Sequence, residues 1–491
     1  MAVKLIYSDV PLGAAEDASV NVSEASAFSE PSALPFGVVT GAIATMEHNG
    51  WGLSSDYKVK DKQPFALWTD TMSNDSGAFE TPPNITLDFT SQYTSTGLTI
   101  RFSPDAGEYC RKLTVIWYQG EEIKDSGDFY PTTGNFILEN TVEAFDRIEI
   151  VFQETSLPQR RLKIEHIGIG VLREFTGREL TGTSFVHEVN LISDNLPINV
   201  MDANFHSSTD TEFIFQKKQP VEAYDGGALI GVYYIENGDR TGGRHYTIAC
   251  QDAIGVLELD KYEGGIWFTD TPLEDILFDI VGDAFEFEID PEYANTTLRG
   301  YIKPATKREA LQRVSFSIGA IMDTAGTRKI KVFPTPLTGE KEIPTTETYT
   351  GGKVATSDIV TEVSVIGYDI TDEEPGENEE YIEHNGKQYK CIPQTKTSRN
   401  PNITAGQLEN KIEFAECYLV TSDKAQQIAD TILAYYMRRN KYSATHILSG
   451  NKLADRVRIS LPWGDMVSGN ITKMSIKTSG ITISDSEILL D

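Results

Sequence analysis

The chain is 491 residues long and 40% hydrophobic, and its 73 acidic against 43 basic residues give a formal net charge of −30 at pH 7. That balance excludes nucleic acid as a specific partner, because a duplex needs clustered Lys and Arg to replace its counterions. No run of about 18 apolar residues occurs, so no membrane-spanning helix is expected. The opening MAVKLIYSDVPLGAAEDASV, with one Lys and early acids, does not read as a signal peptide. Cys110, Cys250, Cys391 and Cys417 form no CxxC or Cys/His cluster, so free buried thiols of a reducing cytoplasm are expected and a zinc site is not. The length prior gives roughly three or four domains.

Residues 1–60, rich in Ser, Ala and Gly, hold short strand-like pieces at Val3–Tyr7 and Val38–Ile43 and read as an N-terminal arm or partial lobe. Residues 61–173 carry short alternating strands: Asn84–Phe89, Gly97–Phe102, Lys112–Trp117, Asn135–Leu138, Arg147–Phe152 and Arg161–Ile169. Alternation with turn residues at regular intervals predicts an antiparallel β-sandwich. The stretch resembles the discoidin-like, galactose-binding-type jelly rolls in TMSNDSGAFETPPNITLDF, GLTIRF and RLKIEHIGIG. Its candidate glycan-stacking faces are Trp68, Tyr93, Trp117, Tyr118, Tyr130 and Phe136, with Trp117 in TVIW reading better as core. Asp70, Asn74 and Asp75 offer oxygens, but at no EF-hand-type spacing, and no metal is expected.

In the segment 174–356, Phe185–Ile192 reads as a strand ending in a turn at Ser193–Asn195, and Phe213–Gln216 as a further piece. Leu229–Glu236 and Arg244–Gln251 read as a hairpin across Asn237–Gly243, and Asp252–Leu257 as a following strand. After Tyr262–Phe268 comes a helix with Thr271 and Glu274 as a capping box, Pro272 at its first position, and Leu273, Ile276, Leu277 and Ile280 inward. A second capping box, Thr306 with Glu309, opens a helix whose apolar face is Leu311, Val314, Ile318 and Ile321, with Arg308 and Arg313 on its polar side. A turn at Asp323–Gly326 and a strand at Lys329–Phe333 complete the segment. In 357–491, Ile359–Ile370 is a strand, Thr371–Glu380 an acidic solvated loop, and Ser422–Asn440 a helix. That helix faces inward with Ala425, Ile428, Ala429, Ile432, Leu433 and Tyr436, and Arg438, Arg439 and Lys441 sit where its dipole favours cations. Strands return from 455, with a turn at Trp463–Asp465. The class is mainly β with a few helices.

No GxSxG, HExxH, GxxxxGK[ST] or GxGxxG pattern is present, and the seven histidines (48, 166, 187, 206, 245, 384, 446) show no ligand spacing. With 73 acids, a glycosidase-like carboxylate pair is uninformative. The chain therefore reads as non-enzymatic, with no catalytic residue and no cofactor.

An ordered series of segments carries a second resemblance. VNLISDNLPINVMDANF (Val189–Phe205) and FQKKQPVEAYDGGALIGVYYIE (Phe215–Glu236) lead to YTIACQDAIGVLE (Tyr246–Glu258) and YEGGIWFTDTPLEDILFDI (Tyr262–Ile280). GYIKPATKREALQRVSFSIGAIMDT (Gly300–Thr324) follows, and ILAYYMRR with a GD turn lies near the end. In this order the segments resemble the baseplate or tail hub proteins of long-tailed bacteriophages and related contractile particles. The resemblance implies a homotrimeric ring of β-barrel domains at the tail tip, assembled in the host bacterial cytoplasm, with the sandwich as an added domain. It implies tail-tube, distal tail or baseplate, and spike or tip proteins as partners, and extends to the C-terminus of a tape-measure protein and to a host surface glycan. DNA would pass through the lumen without specific binding. The alternative is a receptor- or glycan-binding tail protein that works through the jelly roll.

Overall fold

The structure, a computed structural model, describes residues 3–8, 13–27, 29–35, 47, 66–102, 108–177, 179–207, 215, 217–404, 406–479 and 481–491. The expected strand Val38–Ile43 lies outside these residues, as does Phe213–Gln216 apart from Phe215. The protein is 12% helical and 53% strand, which makes it mainly β with few helices, as its sequence predicts. It divides into two compact units: a small one, Leu5–Phe175 with Thr209–Val221, and a large one, Met1–Lys4 with Thr176–Ser208 and Glu222–Asp491.

The small unit is built around one antiparallel sheet in the order Leu67–Met72, Arg161–Ile169, Asn84–Phe102, Asn135–Thr155, Cys110–Gln119, Glu122–Phe129, with Ser19–Val22 added on Asn84–Phe102. Alternation sends Ile85, Leu87, Ile100, Val115, Trp117, Ile148, Ile150, Phe152 and Ile164 into a single apolar cluster. The pieces expected as separate strands at 84–89 and 97–102, and at 135–138 and 147–152, are each one long strand. Register shifts between Asp88 and Tyr93, and again to Ser95 and Gly97, let pairing continue through the corner. Gly97 sits at φ +151, where an added Cβ would lie 1.7 Å from Leu138 O. Glu122–Phe129 (EIKDSGDF) is a strand that no apolar alternation announces; its charges suit an edge. The short helix α1 (Ala14–Asp17) contributes Ala14 to the same core, as the following loop contributes Leu34.

In the large unit the principal sheet runs Lys353–Thr356, Asn440–Ile447, Ile481–Leu490, Met466–Ser479, Leu180–Glu188, Val200–His206, His245–Gln251, Ala228–Gly242. Strands from the end of the chain thus pair with those near 180, Ser184 opposite Lys477. The expected hairpin is present, but its first strand continues through Gly242 and leaves a two-residue turn, Gly243–Arg244, between Gly242 and His245. The strand expected at Phe185–Ile192 is Leu180–Glu188 instead.

This unit also holds α2 (Ala253–Glu258), which lies against the principal sheet, α3 (Leu273–Val281) and α4 (Lys307–Ile318), which pack on each other, and α5 (Ala425–Met437), which lies against Glu362–Ile370 and Lys387–Arg399. The segment Asp252–Leu257, expected as a strand, is α2 capped by Asp252, whose carboxylate accepts the Gly255 N–H at 3.0 Å. An Asp at the cap offers the first turn an acceptor that a strand would not use. For α3 the expected Thr271–Glu274 capping box does not form: Pro272 is the N-cap, the Thr271 hydroxyl donates to Thr269 O, and the helix starts at Leu273. Thr271 and Pro272 are held extended by pairing with Leu298 and Thr297, which removes the hydroxyl from the helix start. The Thr306–Glu309 box of α4 forms in both directions, and Gly319 ends the helix in the left-handed conformation at φ +66. Ile321 therefore belongs to the next strand, Ile321–Asp323, and not to the helix face. Arg438, Arg439 and Lys441 do not serve the last turn of α5. The Arg438 guanidinium donates to Leu489 O at 2.6 Å and Asn470 Oδ1 at 2.9 Å, Arg439 donates to Ser357 O, and Lys441 is on a strand.

Candidate functional site

The segments Val189–Phe205, Tyr246–Glu258 and Gly300–Thr324, distant in sequence, meet in the interior of the large unit through polar side chains. Asn199 follows the loop after Leu180–Glu188; its carboxamide oxygen accepts the Glu188 N–H at 3.0 Å, and its NH2 donates to Asp323 Oδ1 at 2.8 Å and Thr324 Oγ1 at 3.2 Å. The Thr324 hydroxyl donates to Asp252 Oδ2 at 2.6 Å, and the Asp252 N–H donates to Asn199 O at 2.9 Å. The circuit closes on itself, and all four residues are buried. Beside it, His187 Nε2 lies 2.5 Å from the Tyr233 hydroxyl, both side chains buried. Around the rim, Arg308 donates to Glu258 at 2.7 Å and Leu196 O at 2.6 Å, and Gln312 donates to Ser193 O at 2.6 Å. Ser193 and Ser315 both donate to Ala320 O.

Burial pushes the Asp252 carboxyl up to about 7, against the lowering effect of its hydrogen bonds from Thr324 and Gly255, and the Asp323 charge adds to the rise. Burial lowers His187 and raises Tyr233. The arrangement can fix backbone, and it can hold or release one proton. Its burial leaves no room for a substrate, and what it builds is a specific junction between three segments.

The aromatics of the small unit are dispersed by the same alternation that builds their sheet. Trp117 is 1% exposed and packs edge-on against Phe129, in the core position its context suggests. Tyr118, one residue on, faces the other way, with the Arg147 guanidinium 4.3 Å from its ring and its hydroxyl donating to Glu149. Trp68 is buried, with the Lys163 ammonium 5.4 Å from its ring centroid. Tyr93 leans on Phe89 and donates to Asp17 at 3.1 Å; burial and that carboxylate push its hydroxyl up to about 12. Phe136 is partly buried against the core, and Tyr130, at 63% exposed, stands free of it. The oxygens of Asp70, Asn74 and Asp75 are engaged separately: Asp70 with Arg161 at 3.7 Å, Asn74 with the amides of Ser76 and Ala78, Asp75 with Gln159.

All four cysteines are free and buried. Burial raises Cys110 to about 12 and Cys391 and Cys417 to about 11, which keeps them thiols rather than nucleophiles. Among the described residues no group of three or more His, Cys, Asp or Glu is placed to hold a metal ion, and no helix is long and apolar enough to cross a membrane. A groove of about 720 Å³ runs along α5, with Phe316, Ile428, Ile432 and Tyr435 on its walls and Leu337 at its edge.

The Asn199–Asp252–Thr324 circuit was not legible as a site in the sequence. The one available signal is that each member is a polar residue interrupting or ending an apolar run, in PINV, CQDAIG and IMDTAG.

No family model and no curated protein sequence matches the chain. Among solved structures, a tail protein from Neisseria meningitidis is 12% identical, covers 65% of this chain and 94% of its own, and superposes with a TM-score of 0.46. The 43 kDa tail protein of prophage MuSo2 from Shewanella oneidensis is 10% identical, with 64% and 95% covered and a TM-score of 0.46. The prophage tail protein gp18 from Listeria monocytogenes is 12% identical, with 64% and 91% covered and a TM-score of 0.41.

Proposed function

We propose that this chain is a structural, non-catalytic hub of a phage or phage-like tail, a homotrimeric ring at the tail tip between the tail tube and the spike and baseplate proteins. The observation that carries the reading is the convergence of Asn199, Asp252, Asp323 and Thr324, one polar circuit drawn from three segments of the hub-like series. The burial of that junction and of the thiols supports a scaffold rather than an enzyme. The groove along α5, apolar on its walls with Lys424 and Arg438 among its lining, has the composition of a protein contact surface.

The test is to purify the full chain, measure its mass by light scattering, and mix it with a phage tail-tube protein. A trimer that co-elutes with tube protein is expected. A monomer that ignores the tube protein overturns the hub reading.

A further inference from the structure

Val200–His206 and His245–Gln251 are neighbouring antiparallel strands, and their register sets His206 directly opposite His245. Which kind of pair this is can be read from the backbone. The Ser207 N–H donates to Arg244 O, so the adjacent pair is hydrogen-bonded. The His206 N–H points the other way, to Glu179 O at 2.7 Å. His206 and His245 are therefore a non-hydrogen-bonded pair, in which opposite side chains stand closest. The rings meet with centroids 4.7 Å apart and planes inclined by 40°. Phe205 and Tyr246, next along each strand, are buried and stack on the other face, so both imidazoles lie on the outer one, His206 half-buried and His245 exposed.

Nδ1 of His206 is buried and has no hydrogen-bond partner among the described residues. A neutral imidazole can leave that nitrogen as an unused lone pair, a costly state for a buried acceptor. A cation would satisfy it, and a second imidazole at the closest cross-strand position supplies a second donor of the same kind. No carboxylate or thiol completes a three-residue set among the described residues, so water would fill the remaining positions.

We propose that His206 and His245 form a two-imidazole site for a divalent late first-row transition ion, on the outer face of the principal sheet of the large unit. Imidazole donors select copper, nickel and zinc over calcium and magnesium, and copper binds most tightly of the series. The ion would tie the two strands at the end of the hairpin, close to the Gly243–Arg244 turn. This inference is independent of the tail-hub reading.

The full chain, without an affinity tag, is titrated with copper(II) sulfate and followed by electron paramagnetic resonance. One equivalent is expected to give an axial signal with splitting from two nitrogens. His206→Asn and His245→Asn should each weaken binding at least tenfold and remove one nitrogen from the pattern, while His384→Asn changes neither. Circular dichroism and elution volume establish that each variant is folded. If a variant fails to fold, the two-nitrogen pattern of the unmodified chain decides the matter by itself. Absence of a stoichiometric signal, or a signal that survives both substitutions unchanged, overturns the proposal.

Discussion

In the small unit the buried Lys163 ammonium lies 2.7 Å from Glu47 and 2.8 Å from Glu108, and Arg160 reaches the same Glu108 at 3.2 Å. In the large unit two buried carboxylates, Asp252 and Asp323, are held by neutral donors, Thr324, Asn199 and the Gly255 amide. Both units remove charge from water, which is unfavourable unless the lost hydration is replaced. One replaces it with opposite charge and the other with fixed dipoles, and burial raises the Asp252 carboxyl so that it can keep its proton. The difference should make the two units respond to different perturbations: the first to loss of a single ion, the second to pH.

The largest expected effect comes from breaking the ion cluster. Lys163→Met leaves Glu47 and Glu108 without their shared cation and should cost about 3–5 kcal/mol. The loss should appear in hydrogen exchange of the small-unit strands and leave the amides of α4 protected. Uniform loss across both units, or none, would break the contrast.

Next is the proton. With a folded pKa of about 7, Asp252 holds a proton that the unfolded chain has already lost between about pH 4 and 7. The folded state then binds more protons than the unfolded one, so this group's contribution to stability falls as pH rises through that window and is constant outside it. Asp252→Asn keeps an oxygen for the Gly255 N–H and should remove that slope, a difference on the order of 4 kcal/mol between the ends of the window. Buried His187, whose pKa is lowered by desolvation, acts in the opposite sense: its stability is lost as pH falls below the ordinary histidine value. Subtracting the variant's pH profile from that of the unmodified chain isolates the Asp252 part. Identical profiles for the two proteins would contradict the assignment.

The smallest effect sharpens the picture from outside the polar circuit. Thr306→Ala removes the α4 capping box and should cost about 1 kcal/mol, with no pH dependence, visible as faster exchange in the first turn of α4. A larger or pH-dependent loss would mean that the Thr306 contact with Glu258, at 3.2 Å, ties the cap into the circuit's rim.

What was legible depended on how local each cause is. Helix α4 could be read residue by residue because its cap, apolar face and Gly319 stop all lie within one segment. Helix α2 could not: DAIGVLE is short and apolar enough for either element, and Asp252 settles it by capping the first turn while Asn199 and Thr324 pin its backbone and carboxylate from elsewhere. Thr271 and Glu274 had the spacing of a capping box, but strand pairing with Thr297 and Leu298 claimed the residues first. The aromatic residues of the small unit were visible as a set, yet strand alternation sent Trp117 inward and Tyr118 outward, a consequence of period two that no list of residue types contains.

The sequence by itself determined the β-rich class, the strand alternation of the small unit, the α4 cap and the absence of familiar catalytic motifs, because each of these follows from residues near one another in the chain. Only the tertiary structure decided the long bent strands, the polar circuit of Asn199, Asp252, Asp323 and Thr324, and the facing of His206 with His245. These depend on register between strands, and register is set by the whole sheet settling onto its core rather than by any one segment's preferences.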